Sequence, residues 1–122
     1  MKGTVLVVDD SGLARRRVRS ILEQAGYDVV EAEDGMAALE RYFVTKPDLV
    51  LLDLVMKGMH GLDVLTKLRE MDPSARVIVV SADVQTSSHE MVERAGAAGF
   101  LMKPVDSDEV LAMVQSTLGG AQ

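Results

Sequence analysis

Residues 48–53 read Asp-Leu-Val-Leu-Leu-Asp, and this stretch is the clearest indication of the fold. The apolar run between the two aspartates is typical of a strand that is buried on both faces, as in a parallel sheet covered by helices. Because an unpaired buried carboxylate is energetically costly, Asp53 marks the point where this strand leaves the core and meets water. In an open parallel sheet, ligands bind at that edge. Taken alone, Asp53 fits a simple turn cap equally well.

Other segments of the chain repeat this design. Residues 4–8, Thr-Val-Leu-Val-Val, end in Asp9-Asp10, and residues 76–80, Arg-Val-Ile-Val-Val, lead into Ser81. We predict strands at 4–8, 28–32, 48–53, 76–80 and 100–102, each followed by a helix with apolar residues at helical spacing within 14–25, 35–44, 62–71, 91–95 and 110–118. This alternation predicts an α/β fold, a doubly wound five-stranded parallel sheet with five helices on its two faces.

Composition excludes several classes of protein and site. The 122 residues suffice for one domain with its own core. There is no cysteine, which excludes disulfides and thiol chemistry, and the two histidines, His60 and His89, are too far apart in sequence to suggest a zinc site. The net charge of −6 argues against direct nucleic-acid binding. Without a long apolar run or a signal-peptide pattern, we expect a cytoplasmic protein that does not insert into membranes.

Polar residues follow four of the predicted strands, and the carboxyl ends of parallel strands meet at one edge of a sheet. These residues are Asp9, Asp10, Asp53, Ser81 and Lys103. Converging carboxylates repel one another unless a cation joins them, and Mg²⁺ takes one or two carboxylates together with phosphate oxygens. A lysine and a serine hydroxyl both suit a phosphoryl group. Each residue alone fits a cap, a strand end or a loop, but their joint placement predicts Mg²⁺-dependent phosphoryl transfer to a carboxylate.

The same residues carry a family resemblance. Asp9-Asp10-Ser11 with Arg15, Asp53 at the end of an apolar strand, Ser81-Ala82 and Lys103-Pro104 occur together in this chain. In these motifs the chain, over residues 3–118, resembles the receiver domain of two-component response regulators, in the compact form of the single-domain chemotaxis regulators. The resemblance implies a flavodoxin-like fold with strand order 2-1-3-4-5 and a single receiver domain over residues 1–122.

The resemblance also implies a role for each residue. Asp53 would accept a phosphoryl group from a histidine kinase or a histidine phosphotransfer domain. Asp10, Asp53 and the backbone carbonyl of Val55 would hold Mg²⁺, or Mn²⁺ as a substitute, with Asp9 acting mostly through water. Lys103 would pair with the acceptor carboxylate and then with the phosphoryl group. Such a domain catalyses its own phosphorylation and slow dephosphorylation and is not a conventional enzyme.

A conformational switch is part of the same expectation. Ser81 would bond a phosphoryl oxygen and Phe100 would follow that movement, so that the face made of the fourth helix, the fifth strand and the fifth helix binds a downstream protein. The Lys103–Pro104 bond would be cis. Two positions depart from the family pattern, since Lys57 stands where many receivers have proline and Phe100 lacks the hydroxyl of a tyrosine found in some relatives.

Three other functions are compatible with these residues. The chain can be a receiver-like scaffold that binds partners without being switched, or the receiver part of a longer regulator with a separate output domain. A phosphatase with an aspartate nucleophile ranks last, because it usually needs a second acid two residues further on, where this chain has Val55. Val55 and Asp83, two positions past Asp53 and Ser81, are expected to flank the water that hydrolyses a phospho-aspartate. The sequence does not specify the kinase, the output partner, the pathway or dimerisation.

Overall fold

The computed structural model describes residues 2–56, 58–82 and 86–119. Strands and helices alternate in the order β1 (Thr4–Val8), α1 (Gly12–Gln24), β2 (Asp28–Ala32), α2 (Gly35–Thr45), β3 (Leu49–Asp53), α3 (Gly61–Met71), β4 (Val77–Ser81), α4 (Thr86–Arg94), β5 (Gly99–Met102) and α5 (Ser107–Gly119). The predicted alternation is confirmed. Within the described ranges, every helix is too short or too polar to span a bilayer.

The five strands form one parallel sheet in the predicted order β2-β1-β3-β4-β5. From β1 the chain first adds β2 on one side and then β3 on the other, so the connections diverge between β1 and β3. In an open α/β sheet this divergence leaves a crevice at the carboxyl ends of the strands. Asp9 directly follows β1 and Asp53 ends β3, so both aspartates lie at this crevice.

Alternate strand residues pack on opposite faces of the sheet and form two cores. One core joins the sheet to α2, α3 and α4, through residues such as Ala38, Leu65 and Val92. The other joins it to α1 and α5, through residues such as Leu22 and Val114. All residues of β3 and β4 are buried. Because burial of one such side chain contributes roughly 1.5–3 kcal/mol, the two cores hold the strand ends in fixed positions.

The predicted strand boundaries need small corrections. Asp48 stands before β3, and its carboxylate accepts a hydrogen bond from the Thr4 N–H at 2.8 Å. Ser81 is the last residue of β4, because its carbonyl accepts a hydrogen bond from the Lys103 N–H at 2.9 Å and so extends the pairing with β5. The side chain of Ser81 is therefore carried by a paired residue at the end of β4, and the sheet fixes its position.

Gly61, the first residue of α3, allows this helix to lie against the backbone of the strand that carries Asp53. A Cβ atom added to Gly61 would lie 2.6 Å from the backbone oxygen of Asp53 and from the Cα atom of Leu54. Backbone atoms cannot move aside as the end of a flexible side chain can. Any larger residue must therefore push α3 away from β3.

We expect Gly61→Ala to destabilise the fold by about 2–3 kcal/mol, the upper part of the usual range for overpacking. Gly12, the first residue of α1, provides the matched control, because the atom nearest to its added Cβ belongs to the flexible Arg16 side chain, at 3.1 Å. Urea unfolding measures both variants, and Gly12→Ala should leave the midpoint unchanged or raised. Equal midpoints for the two variants would show that α3 can shift without cost.

Candidate functional site

The structure brings the side chains of Asp9, Asp10 and Asp53 together at the carboxyl edge of the sheet. One carboxylate oxygen from each lies within 4.8 Å of those of the other two. Asp9 and Asp53 are each only 6% exposed, whereas Asp10 is exposed to solvent. The three carboxylates thus span the boundary between the core and water.

Lys103 reaches this cluster from the far side of β4. Its Nζ donates hydrogen bonds to Asp9 Oδ2 at 2.8 Å and to Asp53 Oδ2 at 3.2 Å. The lysine follows β5, which is separated from β3 by β4, and its backbone is held by the bond to the carbonyl of Ser81. One ammonium group therefore bridges two buried carboxylates.

The remaining oxygen of each buried carboxylate is held by a backbone N–H group. Asp9 Oδ1 accepts from the Ser11 N–H at 2.9 Å, and Asp53 Oδ1 accepts from the Val55 N–H at 3.3 Å. These local contacts and the shared lysine fix the orientation of both carboxyl groups. The Val55 side chain itself is 61% exposed.

Burial and like charge shape the electrostatics of the cluster. Burial, together with the neighbouring charge of Asp9, raises the pKa of Asp53, although Lys103 and the Val55 N–H act in the opposite direction. Burial alone would lower the pKa of Lys103, but its hydrogen bond to Asp9 and the charges of both carboxylates outweigh this and raise it. One cation does not fully compensate the carboxylates, so the cluster favours a second positive charge.

A hard divalent cation fits this donor set. Mg²⁺ binds carboxylate and carbonyl oxygens and keeps several water molecules. The three aspartates supply only oxygen donors, and Asp10 lies on the side open to solvent, where water or phosphate oxygens would complete the coordination. The three aspartates could therefore hold a hard divalent cation such as Mg²⁺.

Ser81 and Phe100 lie on the same face of the sheet but not directly side by side. Ser81 is fully buried and pairs in register with Met102, whereas Phe100 pairs with Val79, two positions earlier along the strands. The Phe100 ring is half-buried against the core beneath α3 and α4. A movement of Ser81 would therefore reach the ring across two positions of the sheet.

His89, on α4, was not connected to this ring by the sequence. Its imidazole stacks on the Phe100 ring with centroids 4.6 Å apart and planes inclined by 22°. Only the packing of α4 against β5 brings the two rings together. Lys57 and Asp83, to which the sequence also assigned significance, lie outside the described residues.

Sequence reasoning also missed Glu31, which links β2 to α1. Its carboxylate accepts hydrogen bonds from Arg19 Nη1 at 2.7 Å and from Arg15 Nε at 2.9 Å. The hydrogen bond from Arg19 is the main cause that lowers the pKa of Glu31, and burial opposes it. A lone acid in a strand beside an arginine-rich helix was the signal that could have identified this contact.

A largely apolar cavity of about 390 Å³ adjoins the cluster between α1 and the segment after β5. Asp9, Asp53 and Lys103 contribute to its lining, as do Arg17 and Val105. The Arg17 Nη2 donates to the Val105 carbonyl at 3.0 Å and thereby joins the two sides of the cavity. The Asp53 carboxylate thus borders a largely apolar space.

Comparisons with known proteins agree with this geometry. The family profile described as response regulator receiver domain matches residues 5–115. The chain is 39% identical over 119 residues to the chemotaxis protein CheY of Bacillus subtilis, covering 97% of this chain and 99% of that protein. A CheY-like receiver domain from Methanospirillum hungatei superposes with a TM-score of 0.92 at 26% identity, covering 96% of this chain and 94% of that one.

The crystal structure of the CheX-CheY-BeF3-Mg²⁺ complex from Borrelia burgdorferi is also similar. It superposes with a TM-score of 0.88 at 34% identity and covers 93% of this chain and 87% of that one. The structural neighbours therefore share both the fold and most of its length.

Proposed function

This chain belongs to the response regulator receiver domain family, and on that premise we propose that it is a phosphorylation-activated switch of a two-component system, a single receiver domain over residues 1–122. The observation that carries the proposal is the ammonium group of Lys103 between the carboxylates of Asp9 and Asp53. A lysine beside a buried carboxylate, with two more carboxylates that could hold a metal ion, suits phosphoryl transfer, which depends on positioning and on cations that neutralise the phosphoryl oxygens.

Asp53 is the proposed acceptor. Its carboxylate oxygen forms a bond to phosphorus while the donor's phosphorus–nitrogen or phosphorus–oxygen bond breaks, and the donor leaves with that electron pair. Lys103 then turns from the carboxylate to an oxygen of the phosphoryl group. When bound, Mg²⁺ neutralises the charge that gathers on the phosphoryl oxygens. Asp10, Asp53 and the Val55 carbonyl would hold the metal ion directly, while Asp9, already paired with Lys103, would act through water.

The donor is proposed to be a histidine kinase or a histidine phosphotransfer domain in the cytoplasm. The acceptor borders both solvent and the apolar cavity beside α1, which gives a protein donor an apolar surface next to the reacting group. The net charge of −6 disfavours nucleic acid as a direct partner.

The switch is proposed to work through Ser81 and Phe100. After transfer, the Ser81 hydroxyl donates to a phosphoryl oxygen, and the Phe100 ring turns inward and leaves its stack with His89. Since the ring has no hydroxyl, this step depends on packing. The face formed by α4, β5 and α5, where Met91 and Met102 are exposed, then changes and binds a downstream protein.

Intact-mass measurement tests the proposed function. The whole chain is incubated with Mg²⁺ and a small phosphodonor such as an acyl phosphate or a phosphoramidate, and peptide mapping locates the adduct. We expect one phosphoryl group, on Asp53, and none when the metal is chelated. An unmodified chain under these conditions would favour the unswitched scaffold, and an adduct at another residue would exclude Asp53 as acceptor.

Val55 should control how long the phosphorylated state lasts. Hydrolysis requires a water in line with the bond between phosphorus and the Asp53 oxygen, and the exposed valine side chain lies beside the acceptor without any group that could orient that water. We expect slow decay in the wild type and roughly 10-fold faster decay in Val55→Asn, because positioning one water is worth about 1.4 kcal/mol. Val55→Ala, which opens space without adding a polar group, is the control.

The decay is measured by following the phosphorylated mass over time in excess Mg²⁺ and without a phosphatase. An asparagine variant that decays at the wild-type rate, or more slowly, would show that Val55 does not gate the water. Equal acceleration in Val55→Ala and Val55→Asn would assign the effect to space alone.

A further inference from the structure

We propose that Arg15 is a positioning residue that holds the Asp9–Asp10 peptide in the geometry that binds Mg²⁺. The inference rests on the proposed function of the site, and it assigns to an arginine outside the acidic cluster a role in how tightly the cluster binds the metal ion.

The Arg15 guanidinium makes two contacts at once. Nη1 donates to the backbone carbonyl oxygen of Asp9 at 2.6 Å, and Nε donates to Glu31 Oε1 at 2.9 Å. The two side chains are only 16% and 23% exposed, so water competes weakly for these bonds. Glu31 pairs in register with Val7 of β1, so the arginine is anchored to the sheet itself.

The carbonyl that Arg15 holds belongs to the peptide group between Asp9 and Asp10. The rotation of this peptide sets the direction in which the Asp10 side chain leaves the backbone. The carboxylate of Asp9 is already oriented by Ser11 and Lys103. Arg15 therefore acts on the exposed member of the cluster, which has the freest access to a metal ion.

We expect Arg15 to act on Mg²⁺ binding through the geometry of the ligands and not through its charge. Glu31 and Glu23 together balance the charges of Arg15 and Arg19, so this network adds little net charge beside the cluster. Hydrogen-bond partners of metal ligands nonetheless change metal affinity by roughly 10–100-fold, because they fix the ligands before the metal binds. We expect Arg15→Met, which keeps the length of the side chain but removes its donors, to weaken Mg²⁺ binding by roughly 10-fold.

Arg19 provides a matched control on the same helix. Its hydrogen bonds go to Glu31 at 2.7 Å and to Glu23 at 3.0 Å, so it belongs to the same ion-pair network without a contact to the Asp9 carbonyl. If both arginines merely stabilise α1 against β2, the two substitutions should have the same effect on Mg²⁺ affinity. If Arg15 positions the Asp9–Asp10 peptide, only its substitution should weaken Mg²⁺ binding.

The experiment is a calorimetric titration of the whole, unphosphorylated chain with Mg²⁺, together with thermal unfolding in the absence of metal. We expect Arg15→Met and Arg19→Met to lower the melting temperature similarly, but only Arg15→Met to weaken Mg²⁺ binding roughly 10-fold, with Arg19→Met within about 2-fold of the wild type. Arg15→Lys keeps the charge without the planar fork, so it should bind Mg²⁺ as weakly as Arg15→Met.

Several results would overturn the inference. They are an Arg15→Met protein that binds Mg²⁺ as the wild type does, an equal loss in Arg19→Met, or full recovery in Arg15→Lys. Should Arg15→Met fail to fold, Glu31→Ala removes the oxygen that anchors Arg15 Nε and should weaken Mg²⁺ binding by roughly 10-fold, and unchanged affinity there would also overturn the inference.

The proposed function fails separately from this inference. A wild-type chain that binds Mg²⁺ but accepts no phosphoryl group would refute the switch and leave the role of Arg15 in metal binding intact. A wild-type chain that binds no Mg²⁺ would overturn both.

Discussion

Lys103→Met is expected to slow phosphorylation of Asp53 by roughly 100-fold or more and to lower the free energy of unfolding at neutral pH by about 3 kcal/mol. The rate falls because the ammonium group that turns to the phosphoryl group during transfer is lost, so that only the bound metal ion would neutralise the charge there. The stability falls because Asp9 and Asp53, both nearly buried, lose their shared partner. Breaking a buried ion pair from one side leaves uncompensated charge, which costs more than the pair itself contributed.

The stability loss should grow with pH. Lys103 opposes the rise in the pKa of Asp53, so its removal raises that pKa further. Below the ordinary carboxyl pKa the group is protonated in both the folded and the unfolded chain, and little is lost. As the pH rises above the ordinary pKa, the unfolded chain ionises while burial opposes ionisation in the folded protein, so the loss grows until the pH passes the raised folded-state pKa.

Urea unfolding between pH 4 and pH 8, with intact-mass kinetics at neutral pH, measures both effects. Lys67→Met, the same chemical change at an exposed position of α3, should leave stability within about 0.5 kcal/mol of the wild type. Adding Asp53→Asn to Lys103→Met should restore part of the stability, because one buried charge is removed. A Lys103→Met protein as stable as the wild type at pH 8 would show that water compensates the two carboxylates.

Asp53→Asn should abolish the phosphoryl adduct and, in the metal-free protein, raise the melting temperature by roughly 5 °C, the shift that about 1 kcal/mol produces in a domain of this size. The asparagine keeps an oxygen for the Val55 N–H, and Lys103 keeps its shorter bond to Asp9. What disappears is a buried charge beside another carboxylate, and burial is the main cause of its raised pKa.

The sign of the pH dependence follows from this raised pKa. Below the ordinary carboxyl pKa, Asp53 is protonated in both the folded and the unfolded chain, so its charge does not lower the free energy of unfolding. The full destabilisation is reached only above the folded-state pKa. The difference in melting temperature between Asp53→Asn and the wild type should therefore be small near pH 3 and grow as the pH rises towards neutral. A variant that melts below the wild type at pH 7 would show that the pair with Lys103 outweighs burial.

Asp10→Asn is the matched comparison. Neutralising Asp10 also relieves repulsion within the cluster, and we expect a raised melting temperature without Mg²⁺ together with weaker metal binding. Because Asp10 is exposed, water screens its charge and the gain should be smaller than for Asp53→Asn. A gain equal to that of Asp53→Asn would show that repulsion, and not burial, dominates the cluster.

The alternation of strands and helices, and the meeting of polar residues at one edge of the sheet, could be predicted from the sequence. Apolar runs of strand length alternating with helical periodicity require a parallel sheet covered on both faces, and parallel strands place all their carboxyl ends at one edge. Polar residues at the ends of such runs must therefore meet, whatever the details of packing. That is why Asp9, Asp53 and Lys103 could be grouped before any distance was known.

How these groups pair could not be predicted from the sequence. The Nζ of Lys103 lies closer to the carboxylate of Asp9, 94 residues away in sequence, than to that of Asp53. The fold also buries Asp9 and Asp53 and leaves Asp10 exposed to water. Two other contacts likewise depend on the distance between a helix and a strand. They are the hydrogen bond from Arg15 to the Asp9 carbonyl and the stacking of His89 on Phe100. Periodicity in a sequence specifies which face a residue occupies. The few tenths of an ångström that separate a bond from a near miss are set by side-chain packing between distant segments, which no local pattern encodes.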